Sequence, residues 1–179
     1  MSGVQVDSFP IGPIVSGLGP AHLHYAVNKP QIIQAILEKL RDEFDTRRSI
    51  SKQTRVAGND AESKSEGKYD TRSIEENYLA DGLAKQAFAA AQAAAAYEKL
   101  SAGPFRPDEP IDLGALIELE FPDVREWFFL GPAAGGIEIE HEGKTITVIT
   151  PESPLGSQSI GKKVGDATTA PKAKISAVQ

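Results

Sequence analysis

The hydrophobic period of this chain changes once, and that change constrains its architecture more than any other feature. Between residues 29 and 102 apolar side chains recur at three- and four-residue spacing, and beyond residue 112 they alternate in twos at 117–121, 137–140 and 145–149 and form a short buried run at 127–130. The first period belongs to a helix with an apolar stripe, the second to a strand with one wet face. Gly103, Pro104, Pro107 and Pro110 stand at the switch and mark residues 103–111 as a linker. An α+β chain follows, with a helical part at 29–102 and a strand-rich part at 112–179. Residues 1–28, where Pro10, Gly12, Pro13, Gly17, Gly19 and Pro20 interrupt every regular pattern, are expected to form a flexible arm.

Within the helical part, Asn28 followed by Lys29 and Pro30 reads as a helix start, a capping side chain ahead of a proline in the first turn. Ile33, Ile36, Leu37, Leu40 and Phe44 form one stripe. The stripe then thins to Ile50 and Val56, so a helix over about residues 30–57, on the order of 40 Å long, has a distal half too polar for a globular core. Residues 58–70 hold two glycines and four acids and are expected to be a solvated turn. A second helix is expected over about residues 71–100, with Ile74, Tyr78 or Leu79, Leu83, Ala87, Ala90, Ala94 and Tyr97 along one side. Residues 87–96 include eight alanines, which favour helix and let a neighbouring backbone approach closely. Two long helices joined by a short polar turn make an antiparallel helical hairpin, a coiled coil with its alanine face against the Ile33–Leu40 stripe near the base.

The remaining segments read as a small antiparallel β-domain with one short helix. Residues 115–121, 127–130, 137–140, 145–149 and 172–178 have strand character, with a turn at Glu142-Gly143 and a helical turn or two at 154–160 ending on Gly161. Trp127 and Phe128 are expected in the core, because so small a sheet needs them.

Composition closes several routes to function. A net charge of -6 argues against a surface for duplex DNA, whose phosphates call for clustered Lys and Arg. There is no cysteine, hence no disulfide and no thiolate metal site. No apolar run approaches the ~20 residues of a membrane helix, so the expectation is a soluble cytoplasmic protein, without membrane or sequence-specific DNA partners. His22 and His24 lack a third ligand nearby, and His141 beside Glu142 has no nucleophile to complete a catalytic set.

Ser153-Pro154-Leu155-Gly156, followed by Ile160-Gly161-Lys162-Lys163-Val164-Gly165-Asp166, resembles a stretch of the FKBP-like C-terminal domain in the GreA/GreB family of transcript cleavage factors. Glu75-Glu76-Asn77-Tyr78-Leu79-Ala80 is similar to the family's second hairpin helix, and Lys68-Tyr69-Asp70-Thr71-Arg72 points to a divergent Gre-like subgroup. The likeness spans roughly residues 29–179. It implies a monomer that binds bacterial RNA polymerase and inserts its hairpin into the secondary channel. There, tip acids act on the nascent RNA 3′ end indirectly, by helping to hold a Mg²⁺ shared with the polymerase active site, with no cofactor tightly bound to the factor itself. Hydrolysis belongs to the polymerase, so the factor is not an enzyme. Hard oxygen ligands suit this role because Mg²⁺ prefers them and keeps several waters.

Carried onto this chain, the resemblance assigns the tip role to Asp60, Glu62, Glu66 and Asp70. RNA or polymerase contact falls to Arg47, Arg48, Lys52 and Arg55, and polymerase docking to Ser153, Pro154, Leu155, Gly161 and Lys162. The family's Asp-Leu-x-Glu-Asn tip is missing: anchoring on Tyr78 places Thr71 and Ile74 at its two acidic positions. Two readings of the four acids stay open, a cleavage role and a turn kept soluble by charge. Three functions follow: a cleavage-promoting elongation factor, a channel-occupying regulator or inhibitor without cleavage, and a prolyl isomerase or peptide chaperone on the FKBP-like part.

Overall fold

The computed structural model of the chain describes residues 28–64, 71–101, 103–106 and 108–179, and the side chains among these except at 58–64 and 71–73. The reading of residues 1–27 as an arm therefore lies outside the described residues. Two long helices, α1 (Lys29–Lys64) and α2 (Thr71–Glu98), pack along each other as an antiparallel hairpin. Five strands and a third, short helix follow: β1 (Leu116–Glu120), β2 (Arg125–Leu130), β3 (Glu138–His141), β4 (Lys144–Ile149), α3 (Pro154–Ser159) and β5 (Lys174–Val178). This is the expected hairpin-plus-sheet architecture.

One strand pair departs from the all-antiparallel expectation. The sheet order is β3-β4-β2-β1-β5, and β4 pairs with β2 in parallel, Trp127 opposite Ile146 and Leu130 opposite Ile149. The cause lies between β2 and β3. Residues 131–137 carry the chain past the place beside β2, with Ala134 (φ 62°) and Gly136 (φ 88°) in left-handed conformations. β3 takes the sheet edge, and a tight turn through Glu142 and Gly143, both with positive φ, returns β4 into the gap. A strand that returns from the edge in this way runs parallel to β2.

The sheet has an apolar core on each face. Leu116, Phe129, Ile139, Ile146 and Val148 pack with Ile32, Ile36, Leu40, Ala93 and Tyr97 of the hairpin. Ile117, Leu119, Phe128, Leu130, Ile175 and Val178 face the other way, against Ile111 and Leu155. β2 shows the strand period directly: Phe128 and Leu130 serve one core and Phe129 the other. Trp127 is only half-buried, with the Lys144 ammonium 4.2 Å above its ring. The base of the hairpin thus shares a core with the sheet. Tyr97 fixes that joint: it is 1% exposed, stacks on Phe129 at 6.4 Å, and donates to the Ala133 carbonyl at 2.9 Å.

Candidate functional site

The element that reaches beyond the shared core is the hairpin. Its first helix opens where the sequence indicated, Gln31 N–H donating to the Asn28 carbonyl at 2.9 Å. Its 36 residues span about 54 Å. The helices meet through small residues, Ala80, Ala87, Ala90 and Ala93 being buried on α2. Farther along the seam a polar contact is buried: Ser51 Oγ donates to the Ala80 carbonyl at 2.7 Å. Ser51 was not singled out from sequence, since a serine in a polar stretch carries no signal until its partner backbone is known.

The far half of the hairpin departs from expectation in two ways. Helix α1 continues to Lys64, so Asp60 and Glu62 sit on its last turns rather than in a turn beginning at residue 58. Gly58 and Asn59 are weak helix formers, but Ala57, Ala61, Glu62 and Lys64 offset them. Glu66 and Asp70 lie outside the described residues. The stripe expected along α2 also turns the other way near its start: Ile74, Tyr78 and Leu79 are 52%, 75% and 57% exposed, and the seam is taken by Ala80. Apolar side chains therefore do reach the far half, facing solvent.

The four cations assigned to RNA or polymerase contact are mostly engaged within the chain. Arg47 pairs with Glu43, Arg48 lies over the Phe44 ring at 5.8 Å, and Arg55 bridges to Asp81 of α2 at 2.6 Å. Lys52 is exposed. Arg48, Lys52 and Arg55 share a helix face by spacing, while Arg47 lines the groove beside Ile137.

The segment 153–166 is tightly built. Ser153 caps α3, its Oγ accepting from Gly156 N–H at 3.0 Å, and Pro154 occupies the first turn. Leu155 packs on the second core, and Gly161 takes φ 76°. Lys162 Nζ donates to the Ala167 carbonyl. Gly156 must be glycine, because a Cβ there would fall on the Thr150 carbonyl. Each docking residue thus has a local structural role. Beside them a groove of about 540 Å³ is lined by Phe105, Pro110, Leu113 and Ile160, and Leu113, Ile160 and Val164 are exposed.

At the hairpin base the sequence missed Lys29. Its side chain is 4% exposed, donates to the Gly103 carbonyl at 2.6 Å and lies 4.4 Å over the Phe105 ring. Burial pulls its pKa down to about 8, against the raising influence of Glu109. In sequence it reads only as the first residue of a helix. Among the described residues no cluster of His, Asp or Glu could hold a metal, and no helix is long and apolar enough to cross a membrane. His141 Nε2 is buried without a hydrogen bond, 3.9 Å from Glu142.

No protein-family profile and no curated protein matches the chain. Among solved structures, the GreA factor homolog 1 (Gfh1) protein of Thermus thermophilus is similar at 20% identity, over 86% of this chain and 96% of that one, with a TM-score of 0.31. A second structure of the transcription factor Gfh1 is similar at 18% identity, over 82% and 94%, also with a TM-score of 0.31. Agreement this low says nothing of activity.

Proposed function

We propose that this chain is a Gre-like factor that binds bacterial RNA polymerase and inserts its hairpin into the secondary channel. Through its tip acids it promotes cleavage of backtracked transcripts. One observation carries the reading: a hairpin of about 54 Å stands on a sheet domain through a shared core, and beyond Ser51 no apolar core spans its helices among the described side chains. An element of that length, stiffened at one end and bare at the other, suits insertion into a partner. The motif around Ser153 and Gly161 adds the family likeness, and the exposed Leu113, Ile160 and Val164 beside it offer a surface for the polymerase body. The metal and the hydrolysis belong to the polymerase. The chain's contribution is carboxylates among Asp60, Glu62, Glu66 and Asp70, delivered at the end of a lever.

A second reading, a channel-occupying regulator without cleavage, is favoured by one specific observation. Asp60 and Glu62 lie on continuous helix, and the family's acid pair is absent from the start of α2. The test is a backtracked elongation complex with and without the protein. Mg²⁺-dependent shortening of the transcript, lost when the four acids are replaced by alanine, supports the first reading. Polymerase binding without shortening leaves the second. Absence of binding removes both.

A further inference from the structure

The outer face of α2 carries a second repeat. Ile74, Tyr78, Asp81, Lys85, Phe88 and Gln92 follow one another at alternating spacings of four and three, the period that keeps one face of a helix toward a partner helix. All six are exposed, Tyr78 at 75% and Phe88 at 63%. They lie away from the seam within the hairpin, which Ala80, Ala87 and Ala90 occupy. Helix α2 thus shows a packing stripe on each side, and among the described residues only one of the two is covered. Large apolar side chains gathered on a bare face mark an interaction site.

The order of the side chains selects the occupant. With a second α2 laid antiparallel along this face, its two-fold axis level with Leu83, each residue meets the one equally far beyond the axis. Tyr78 then faces the second copy's Phe88, Asp81 its Lys85, and Ile74 its Gln92. The face is self-complementary, as a two-fold contact requires: each ring meets a ring and each charge its opposite, twice over. A parallel pair would set Asp81 against Asp81 and Lys85 against Lys85, so charge selects the antiparallel arrangement. Within one chain the two charges do not serve each other. Asp81 turns to Arg55 at 2.6 Å and its side chain is still 60% exposed. Gly82 and Ala84 flank the axis and let the two backbones approach; a Cβ at Gly82 would meet nothing within 4 Å in the single chain.

The size of the contact sets its strength. Two copies bring four such rings, each of about 200 Å² and about two-thirds bare, so the rings remove about 500 Å² from water. With Ile74, Ala84 and the Lys85 stems of both copies the total approaches about 1,000 Å², the range of a reversible contact rather than a permanent one.

We propose that two copies of this chain pair reversibly and antiparallel through the outer faces of α2, with Tyr78 on Phe88 and Asp81 on Lys85, rather than staying the monomer that the family resemblance implies. The pairing stands on the geometry of α2 alone. Its regulatory consequence, that a paired hairpin is withheld from the polymerase channel, rests on the function proposed above. Sedimentation velocity of the full chain, from low micromolar to submillimolar concentration, tests the pairing. The expected result is a reversible shift toward a dimer, weakened about tenfold or more in Phe88→Asp and in Tyr78→Asp, whose melting temperatures stay near the parent's because both rings lie outside the two cores. A monomer throughout, or association unchanged in both variants, would overturn the proposal. The register has its own test, because the chain contains no cysteine. Asp81→Cys and Lys85→Cys chains are mixed in equal amounts and oxidised. Facing positions come within disulfide reach, so the mixed dimer should exceed either like–like product well beyond the about twofold of random collision. A mixed yield no higher than that would overturn the antiparallel register. The purified disulfide dimer then reads the consequence in a gel shift with polymerase. Reduction, which acts on that one bond, should strengthen binding about tenfold or more. Equal binding before and after reduction would overturn the regulatory consequence alone. Failure of the reduced protein to bind would remove the function proposed above, and this consequence with it, and leave the pairing as sedimentation found it.

Discussion

Lys29 gives the fold a pH dependence that a single substitution should remove. In the unfolded chain a lysine holds its proton to about pH 10.5, whereas the folded protein releases it from Lys29 near about pH 8. Between those values the unfolded state binds more protons, so stability must rise with pH across this window. Below it, the folded state keeps an ammonium out of water, supported by the Gly103 carbonyl and the Phe105 ring. The relief is about 1.4 kcal/mol per pH unit above the folded pKa, hence about 2 kcal/mol on going from about pH 7 to about pH 9.5, with a ceiling near about 3 kcal/mol. Lys29→Met keeps the length of the stem and removes the titration. Urea unfolding of both proteins at several pH values should show the difference in stability, parent minus variant, climbing by about that amount. The series should stop short of about pH 10: burial pushes the Tyr97 phenol up, so ionisation of the unfolded chain would begin to lower stability there. A difference flat with pH, or falling, would show that Lys29 does not titrate in this window and that its burial has been misjudged.

Other perturbations test the joint and the seam. A Cβ at Gly131 would overlap Tyr97 Oη, so Gly131→Ala should destabilise by about 1–3 kcal/mol, and combining it with Tyr97→Phe should cost less than the sum of the two, as read from a double-mutant cycle in urea. Gly156→Ala meets backbone rather than a side chain, so it should cost at least as much, with a melting temperature lower by several degrees and no rescue from side-chain substitutions nearby. Ser51→Leu should spread the helices at the Ala80 contact: amide exchange should accelerate at residues 74–83 while the base around Tyr97 keeps its protection. Uniform acceleration along α2 would refute a separately stabilised base.

The periodicity of the sequence showed which residues share a face, and it was reliable for that reason. Ile146 and Val148 share a face as alternation requires, whereas residues 127–130 are an unbroken apolar run whose division, Phe128 and Leu130 against Phe129, comes from strand geometry. Periodicity does not say which strand lies beside which, so the parallel β2–β4 pair was invisible in it. That pairing depends on how far residues 131–137 carry the chain, which is a matter of backbone conformation at Ala134 and Gly136. The end of α1 was misjudged for a related reason. Gly58 and Asn59 look like turn residues one at a time, but their local cost is about 1 kcal/mol or less each, and helix on both sides outweighs it. On α2, Tyr78 or Leu79 was placed on the seam by spacing with Ile74 and Leu83, whereas close approach of two backbones at Ser51 selected Ala80. Lys29 was illegible because its burial is created by Gly103 and Phe105, more than seventy positions away in the sequence.

The distribution of packing along the hairpin bears on how it can act. At the base, Tyr97 ties α2 to the sheet through Phe129 and the Ala133 carbonyl, and Ile32, Ile36 and Leu40 tie α1 to the same core. A packed core has few alternative arrangements, so the angle between hairpin and sheet is set there rather than by the linker. Beyond Ser51 no core spans the two helices among the described side chains; the Arg55–Asp81 pair crosses them at the surface, and such pairs contribute little. Fixed direction and a weakly held end are what an inserting lever requires. In the function proposed above, the base would carry orientation from the sheet domain and the far half would adjust to the walls of the channel.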